Sequence, residues 1–337
     1  MEVSSIVLAA GQGKRMRSKQ PKVLHPLLGH PMVWYALETA RQVTGAKPII
    51  VIGHQAEEVR RELGDAAIYV IQEPQLGTGH AVMQARSLLS GRSDLVLVTY
   101  ADMPLLRTTT LQGVIEAQKD NTGPITMLTI IGGDPRGFGR IIRDDQGNVT
   151  AIVEEAVATP EQLAITELNP SIFCFQGSWL WEALYKIQVS PKGEYYLTDL
   201  VEIATSQGLH VQSFAVPNSI ETIGINTRIH LAEAEAALRE RINQEWMLAG
   251  VTLVNPSTTY IEPDVRIGAD TIIWPNTYLH GMTQIGEDCQ LGPNTILRNA
   301  VIGNHCKIFA SAIENLTLED GTQIGPFEYH KQGLQAC

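Results

Sequence analysis

The sequence predicts an α/β fold with a Rossmann-like, mixed and mostly parallel sheet, followed by a left-handed parallel β-helix of hexapeptide repeats. Strand-like and helix-like segments alternate from residue 1 to about residue 226, which is typical of a mostly parallel sheet. Residues 227–250 predict an amphipathic connecting helix. Aliphatic residues then recur at six-residue intervals, which indicates stacked short strands. We therefore expect an enzyme-like domain over 1–226, a connecting helix over 227–250 and a β-helix over 251–337.

The elements of the first domain follow from runs of apolar residues and their spacing. Short runs rich in β-branched residues predict strands, and longer segments with apolar residues at three- and four-residue steps predict helices. The predicted strands are 4–8, 48–52, 67–71, 94–99 and 125–131, and the predicted helices are 32–44, 79–89 and 109–119. In open sheets of this kind, ligands bind beyond the carboxyl ends of the strands. We therefore look for chemistry in the loops that follow the strands.

The β-helix prediction rests on a repeated pattern. Its aliphatic positions are Ile261, Ile267, Ile273, Leu279, Ile285, Leu291 and Leu297. Small or β-branched residues lie two positions before each of them, and glycines fall in the expected turns. Such a repeat buries a column of aliphatic side chains inside stacked coils.

Composition excludes several classes of protein. The net charge of −11 argues against a nucleic-acid partner, because phosphate backbones attract basic faces. Hydrophobic residues make up 44% of the chain, which is too much for a disordered protein, yet no apolar stretch is long enough to span a membrane. The cysteines Cys174, Cys289, Cys306 and Cys337 show no metal-ligand spacing, so we expect reduced thiols. These features predict a cytoplasmic enzyme.

A glycine-rich loop follows the first predicted strand, with the sequence LAAGQGKRM at residues 8–16. Gly11 and Gly13 remove the Cβ atoms that would keep a base or phosphates away from backbone N–H groups. Lys14, Arg15 and Lys22 bring three cations to the same loop, so a polyanion is the expected ligand. The alternative is a plain turn with solvated lysines.

Two better-known glycine motifs do not fit this loop. A dinucleotide-binding loop would have a small residue in place of Met16, and a Walker loop would have Ser or Thr in place of Arg15.

A second loop, QEPQLGTGHA at residues 72–81, follows the third predicted strand. Gln72 offers both a donor and an acceptor, as a pyrimidine edge requires, and Gly77-Thr78 can present an amide and a hydroxyl. The alternative is an ordinary helix start, with Thr78 as its cap and His80 on the surface.

An acid ends the fourth predicted strand, in the sequence Asp102-Met103-Pro104. One carboxylate and one further oxygen suffice for Mg²⁺, which completes its shell with water and phosphate oxygens. We take Asn226 as the second ligand. The alternative for Asp-x-Pro is a turn.

The LAAGQGKRM loop with Pro21-Lys22 resembles the signature loop of the sugar-phosphate nucleotidyltransferases. Further matching motifs extend the resemblance across the first two-thirds of the chain to the bifunctional N-acetylglucosamine-1-phosphate uridylyltransferases. They are QEPQLGTGHA, Asp102-x-Pro, GFGRI at 137–141, IVE at 152–154, Asn169, GEYYLTD at 193–199 and GINTR at 224–228.

The resemblance implies a role for each matching position. Residues at the loop and helix starts would hold the nucleotide: Leu8, Ala10, Gly11, Gly13, Gln72, Gly77 and Thr78. Arg15 and Lys22 would be the catalytic cations on the phosphates. Asp102 and Asn226 would bind Mg²⁺, and Asn226 would also contact substrate. Gly139, Glu154, Asn169 and Tyr196 would contact the sugar. From the residues alone, Gly139 is equally compatible with the entry of a hairpin, Glu154 with a solvated strand end, and Asn169 with a turn before Pro170. Tyr196 could be an aromatic residue of the core.

The implied reaction joins UTP and N-acetylglucosamine 1-phosphate. A sugar-phosphate oxygen attacks the α-phosphorus of UTP in line, giving UDP-N-acetylglucosamine, a precursor for peptidoglycan and lipopolysaccharide, and pyrophosphate. The attacking phosphate is already ionised, so no protein nucleophile or general base is assigned. The alternatives are a related nucleotidyltransferase with another base or sugar, or a noncatalytic nucleotide-sugar sensor.

In the resembled family the β-helix forms a homotrimer and carries an acetyltransferase site. The resemblance ends after Gly325-Pro326-Phe327, so we expect an incomplete β-helix without acetyltransferase activity. We expect His280, His305 and His330 to be surface or interface residues rather than catalysts.

The catalytic domain also departs from the family pattern. Ala101 replaces Gly, Ala156-Val157 replace Lys-Asp, and Pro170-Ser171 replace Thr-Gly. We expect these changes to affect the sugar side more than the uridine side.

Overall fold

The computed structural model describes residues 1–132 and 134–331. It contains two compact units, one formed by Met1–His25 with Pro31–His230 and the other by Pro26–His30 with the chain from Leu231 onwards. The end of the predicted β-helix at 332–337, including Cys337, lies outside the described residues.

The first unit is built on a ten-stranded sheet. In chain order the strands are β1 (Val3–Leu8), β2 (Pro26–Leu27), β3 (His30–Pro31), β4 (Ile49–Ile52), β5 (Ile68–Ile71), β6 (Leu95–Tyr100), β7 (Ile125–Ile131), β8 (Gly139–Arg143), β9 (Val149–Val153), β10 (Glu167–Asn169), β11 (Phe173–Gln176) and β12 (Val211–Ala215). The order across the sheet is β5-β4-β1-β6-β11-β7-β10-β8-β9, and β12 pairs with β7. β2 pairs with β3 in a separate hairpin, whose residues Pro26–His30 belong to the second unit.

The prediction of a mixed sheet is confirmed. β1 runs parallel to β4 and β6, and β4 runs parallel to β5, so the carboxyl ends of these strands meet at one edge. β11 runs antiparallel to both β6 and β7. The loops that follow β1, β5 and β6 are therefore brought together, as expected for an open parallel arrangement.

Both faces of the parallel strands are buried, which explains their continuous apolar sequences. Ile6 and Leu8 of β1 pack into one core cluster, and Val7 between them packs into the other. Helices cover the two faces. They are α1 (Met32–Thr44), α2 (Ala56–Leu63), α3 (Thr78–Met83), α4 (Arg86–Leu89), α5 (Thr108–Asp120), α6 (Pro160–Leu163), α7 (Gly177–Ala183) and α8 (Asp199–Ser206).

The prediction of one helix over 79–89 is wrong. The chain forms α3 and α4 instead, because the amides of Gln84 and Ala85 bond three residues back, to Ala81 and Val82, and close a turn. Nothing in the local sequence marks this break, since no Gly or Pro lies between Met83 and Arg86.

The second unit contains a β-helix, as predicted. Its strands are β13 (Thr252–Leu253), β14 (Thr259–Ile261), β15 (Arg266–Ile267), β16 (Ile272–Ile273), β17 (Thr277–His280), β18 (Gln284–Ile285), β19 (Gln290–Leu291), β20 (Ile296–Arg298), β21 (Val301–Ile302), β22 (Lys307–Ile308), β23 (Ala312–Glu314), β24 (Thr317–Leu318), β25 (Gln323–Ile324) and β26 (Tyr329–Lys331). They pair in parallel in three sheets, ordered β13-β16-β19-β22-β25, β14-β17-β20-β23-β26 and β15-β18-β21-β24.

The interior of the β-helix is an aliphatic column lined with threonines. Ile285 pairs in register with Ile302, so the column continues past Leu297 although the spacing there drops from six residues to five. Buried threonines keep their hydroxyls satisfied, because Thr277 Oγ1 donates to Trp274 O at 2.7 Å and Thr283 Oγ1 donates to His280 O at 2.6 Å.

A long helix, α9 (Arg228–Leu248), precedes the β-helix. The apolar face predicted from the spacing of residues 227–250 consists of Leu231, Ala234, Leu238, Ile242 and Trp246. Ala234, Leu238 and Ile242 are buried, and Leu231 and Trp246 are half-buried. Asn243 is also buried, and its side-chain amide donates to Pro256 O and Thr259 O.

The hairpin segment Pro26–His30 belongs to the second unit through contacts that the sequence did not suggest. His30 Nε2 lies 2.7 Å from Asp264 Oδ2, and the backbone of Gly29 lies so close to the Glu262 carboxyl that a Cβ there would meet it at 2.6 Å.

The three histidines expected at a surface or interface differ in exposure. His305 is exposed, His330 is partly exposed with its Nε2 2.8 Å from Glu328 Oε2, and His280 is half-buried with its Nδ1 2.8 Å from Glu262 Oε1. Cys174, Cys289 and Cys306 are free and buried. Within the described chain, no helix is long and apolar enough to cross a membrane.

Candidate active site

A cavity of about 530 Å³ opens at the carboxyl edge of the parallel strands in the first unit. Its walls come from the glycine loop, the loop after β5, the end of β6 and the segment before α8. The lining residues are Leu8, Ala9, Ala10, Gly11, Gln12, Lys14, Lys22, Val23, Gln72, Gln75, Gly77, Thr78, Ala81, Tyr100, Asp102, Glu194 and Tyr196. The structure thus brings together nine of the predicted site residues, and the others lie around this cavity or on neighbouring strands.

The glycine loop leaves β1 in an open conformation that suits a ligand. A Cβ at Gly11 would meet no atom within 4 Å, so the backbone there faces free space in the cavity. Gly13 has a φ of +60°, and a Cβ there would meet the Lys22 Cβ at 2.5 Å. Glycine at this position therefore lets the Lys22 side chain pass beside the loop on its way to the cavity.

The predicted catalytic cations lie in two short 3-10 helices. Arg15 lies in Lys14–Met16 and is exposed, and Lys14 of the same turn lines the cavity. Lys22 begins Lys22–Leu24, directly after Pro21, and is largely buried. The loop therefore offers three cations: Lys14 at the cavity wall, Lys22 deeper in the cavity, and Arg15 exposed on the same turn as Lys14.

The loop after β5 holds Gln72 deep in the wall. The side chain of Gln72 is 3% exposed, and its Nε2 donates to Gly77 O at 2.8 Å. The alternative of Thr78 as a helix cap is wrong: Gly77 occupies the N-cap position, with a φ of +96°, and Thr78 Oγ1 instead accepts from Leu197 N at 3.0 Å. This contact joins the two segments that line the cavity on either side.

The predicted metal ligands converge on one cation. Lys22 Nζ lies 2.5 Å from Asp102 Oδ2 and 3.1 Å from Asn226 Oδ1. The segment that carries Asn226 is fixed beside Asp102, because Ile225 N donates to Asp102 O at 2.8 Å. Asp102 and Asn226, which follow Lys22 by 80 and 204 positions in the chain, thus meet at its ammonium group.

This donor set fits a divalent metal. A carboxylate oxygen and an amide oxygen already face one positive charge, and oxygen ligands are those that hard cations such as Mg²⁺ prefer. Within the described part of the chain, no group of three or more His, Cys, Asp or Glu residues could hold a metal. A site with two protein oxygens is the kind Mg²⁺ uses when phosphates and water supply its remaining ligands.

The predicted sugar contacts lie on the antiparallel part of the sheet. Asn169 at the end of β10 pairs with Gly139 at the start of β8. Glu154 directly follows β9 and accepts from Thr198 Oγ1 at 3.1 Å. Because β9 pairs with β8, these three residues fall on adjacent strands, and Thr198 links them to the segment that carries Tyr196.

Several acids around this cluster have raised pKa values. Burial raises the pKa of Glu154, against a hydrogen bond from Thr198 that lowers it. Burial also raises the pKa of Asp199 to about 6, and the charges of Glu202 and Glu154 contribute to that rise. Burial and the Asp102 carboxylate raise the pKa of the Tyr100 hydroxyl, which stays protonated. The cluster can therefore supply hydroxyl donors as well as carboxylate acceptors to a ligand.

The residues that depart from the family pattern lie in well-defined surroundings. Ser171, where the family has Gly, adopts a φ of +65°, and its hydroxyl and amide contact the Asn169 carboxamide at 3.3 and 2.9 Å. Next to Ala156-Val157, which stand where the family has Lys-Asp, Arg140 Nη2 and Glu155 Oε2 form an ion pair at 3.0 Å. Ala101 is fully buried in the core cluster beneath the glycine loop.

The sequence interpretation missed Tyr100, Gln75 and the partnership of His80. Tyr100 is the last residue of β6, and its position one step before the Asp102 turn could have indicated it. If the loop at 72–81 were only an ordinary helix start, His80 would lie on the surface. It is instead half-buried, with its Nδ1 3.2 Å from Gln72 Nε2. No local pattern predicts that contact, because it joins a loop to a helix.

Comparisons with known proteins identify the family of the chain. A family model described as the MobA-like NTP transferase domain matches residues 5–190. The chain is similar to the bifunctional protein GlmU of Heliobacterium modesticaldum, with 44% identity over 331 residues that cover 98% of this chain and 72% of the relative. It is also similar to the bifunctional protein GlmU of an Exiguobacterium species, with 42% identity over 333 residues that cover 98% of this chain and 74% of the relative. The chain therefore belongs to the GlmU family and contains a nucleotidyltransferase domain of a kind that works with a divalent metal.

Proposed function

We propose that the chain transfers the uridylyl group of UTP to N-acetylglucosamine 1-phosphate and releases pyrophosphate. The product is UDP-N-acetylglucosamine. The observation that carries this proposal is the convergence of Lys22, Asp102 and Asn226 beside a cavity that Gln72 also lines. Cations, metal ligands and a base-reading amide are thereby assembled in one place.

The nucleotide occupies the cavity with its base toward the loop after β5. Gln72, Gly77 and Thr78 contact the uracil, since they supply an amide side chain, backbone groups and a hydroxyl. Leu8, Ala10, Gly11 and Gly13 contact the nucleotide through the backbone of the glycine loop. Lys22 and Arg15 contact the phosphates.

The sugar phosphate binds on the side of Gly139, Glu154 and Asn169, with Tyr196 at the cavity wall. Its hydroxyls and acetamide group need both donors and acceptors, which these residues supply. A phosphate oxygen of the sugar phosphate forms a bond to the α-phosphorus of UTP, and the bond from that phosphorus to the oxygen bridging to the β-phosphate breaks. Pyrophosphate leaves with the electron pair of the broken bond.

The chain contributes position and charge rather than a nucleophile. Lys22 and Arg15 offset the repulsion between two polyanions and the charge that develops on the transferred group. When bound, Mg²⁺, held by Asp102 and Asn226, neutralises phosphate charge. The chain thus needs no residue that accepts a proton from the attacking group, because that phosphate is ionised at neutral pH.

The proposal extends to assembly and location. The β-helix supports a homotrimer, because the outward column on the sheet β14-β17-β20-β23-β26 is rich in apolar side chains, with Ile296 39% and Tyr329 55% exposed. We also assign the enzyme to the cytoplasm. Light scattering of the purified chain tests the trimer.

Pyrophosphate release from UTP and N-acetylglucosamine 1-phosphate with Mg²⁺ tests the reaction. We expect turnover that is lost with EDTA and in Asp102→Ala, and that falls at least about 100-fold with ATP in place of UTP. Glucose 1-phosphate serves as the sugar control. Turnover confined to another base or sugar would move the assignment to a related nucleotidyltransferase, and UTP binding without turnover would favour a sensor.

A further inference from the structure

The side-chain amide of Gln72 is held in one orientation by its surroundings. Its nitrogen lies 2.8 Å from Gly77 O and 3.2 Å from His80 Nδ1. Both amide protons are therefore used inside the protein. Within residues 1–132 and 134–331, Oε1 of Gln72 has no hydrogen-bond partner, and Gln72 lines the cavity. The cavity wall thus presents a hydrogen-bond acceptor at this position.

His80 must be neutral and must accept at Nδ1 for this arrangement to hold. Burial lowers the pKa of His80, which favours the neutral ring. A second amide, that of Gln84, lies on the other side of the ring, with its Nε2 3.0 Å from His80 Nε2 and 2.9 Å from His80 O. A neutral imidazole can accept at only one of its two nitrogens.

The two flanking amides are not equally free to turn. Each amide nitrogen also donates to a backbone carbonyl, that of Gln72 to Gly77 O and that of Gln84 to His80 O. Gln72 is buried, whereas Gln84 is half-exposed at the C-terminal end of α3, so water can replace the contact that Gln84 loses when its amide turns. We therefore assign the accepting nitrogen to Nδ1 and the ring proton to Nε2, where the Gln84 amide turns its oxygen toward that proton. His80 and Gly77 together then oppose rotation of the Gln72 amide.

Uracil and cytosine differ at the atoms that such an amide reads. Uracil has an N3–H donor between two carbonyl oxygens. Cytosine has an acceptor nitrogen at N3 and an amino group in place of one carbonyl. An acceptor fixed in the wall complements N3–H of uracil and faces the lone pair of N3 in cytosine. If the amide turned over, it would present its NH₂ group and would complement cytosine instead.

We propose that His80 is a positioning residue that holds the Gln72 amide with its oxygen toward the base and thereby selects UTP over CTP. The proposal rests on the proposed function, because it takes Gln72 as the residue that reads the base. His80 acts from behind Gln72 and does not itself contact the nucleotide. Its replacement changes base preference more than it changes the rate with the preferred base under saturation.

The test compares kcat/KM for UTP and CTP in the full-length chain and in three variants. His80→Phe keeps the ring and deletes both nitrogens, His80→Asn offers a side-chain oxygen as a substitute acceptor, and His210→Asn changes an exposed histidine as a control. We expect the UTP-to-CTP ratio to fall about tenfold in His80→Phe, to recover to within about threefold of the parent ratio in His80→Asn, and to stay unchanged in His210→Asn. His80→Leu carries the same expectation should His80→Phe not fold.

Equal losses with UTP and CTP in folded His80 variants would overturn the proposal, because a merely structural histidine would weaken both nucleotides alike. An unchanged ratio in His80→Phe and His80→Leu would also overturn it. Failure of the proposed function is distinguishable, since it would appear in the unmodified chain as absent turnover or as preference for another base.

Discussion

The contact of Lys22 with Asp102 and Asn226 gives the most quantitative prediction. Lys22→Met keeps an unbranched stem of similar length, which still passes Gly13, but removes the ammonium group. Asp102 then loses its cation, and its side chain is only 19% exposed. We expect the variant to fold with the same core but with lower stability in EDTA.

The expected loss lies between two known limits. Exposed ion pairs contribute about 0.2–1 kcal/mol, and removing one partner of a fully buried pair costs about 3–5 kcal/mol. Lys22 and Asp102 are 12% and 19% exposed, with Nζ and Oδ2 2.5 Å apart. We therefore expect the free energy of unfolding to fall by about 2 kcal/mol, between these limits.

A double-mutant cycle with Lys22→Met and Asp102→Asn isolates this pair. Urea unfolding of the full chain in EDTA, followed by tryptophan fluorescence, gives the four stabilities. We expect a coupling energy of about 1–2 kcal/mol. Lys19→Met, an exposed lysine of the same loop, is the matched control and should change stability by less than about 0.5 kcal/mol.

Mg²⁺ adds a second arm to the same experiment. Because the ammonium of Lys22 occupies the two oxygens, its removal frees them for the metal. We expect Mg²⁺ to raise the melting temperature of Lys22→Met more than that of the parent chain, whereas activity falls about 100-fold or more. A coupling energy below about 0.3 kcal/mol, or no differential effect of Mg²⁺, would refute the reasoning.

Three further substitutions test the cavity and the sugar side. Ser171→Gly relieves the backbone strain at a φ of +65° and frees the Asn169 carboxamide from the hydroxyl, so we expect stability to rise by about 0.5 kcal/mol and KM for the sugar phosphate to fall, as steady-state kinetics can show. Gly77→Ala places a Cβ 2.6 Å from Tyr195 O at a φ of +96°, so we expect a loss of about 2 kcal/mol in a thermal melt and a higher KM for UTP; an unchanged melt would contradict the packing described. The pKa of Asp199 is raised to about 6, so the folded state holds its proton more tightly than the unfolded state does, and stability falls as pH rises from about 4 to about 6. Asp199→Asn should remove that slope in melts at pH 4.5 and 7, and an unchanged slope would show that another group titrates.

The sequence predicted elements best where one physical signal was strong. The bounds of α1 and β7 match the predicted 32–44 and 125–131, because Pro31 and Gly45 flank the helix and β7 is a continuous run of apolar and β-branched residues. The six-residue repeat predicted the β-helix. Its interior column nevertheless continues through five-residue spacings, which a strict six-residue repeat does not predict. The break between α3 and α4 could not be predicted, since it has no local marker.

The site was predicted as a set of residues rather than as a set of contacts. Asp102 and Gln72 were found because each follows a strand of the parallel sheet. The meeting of Lys22 with Asp102 and Asn226, and that of Gln72 with His80, depends on how loops fold over the sheet edge. Chain spacing carries no information about such contacts.

The fate of a label in UTP tests the central claim most directly. The chain is incubated with Mg²⁺, N-acetylglucosamine 1-phosphate and UTP labelled with ³²P at either the α- or the γ-position. We predict that the α-label appears in UDP-N-acetylglucosamine and the γ-label in pyrophosphate, with neither transfer in Asp102→Ala. Appearance of the γ-label in a sugar product, or of free UMP in place of the nucleotide sugar, would contradict uridylyl transfer.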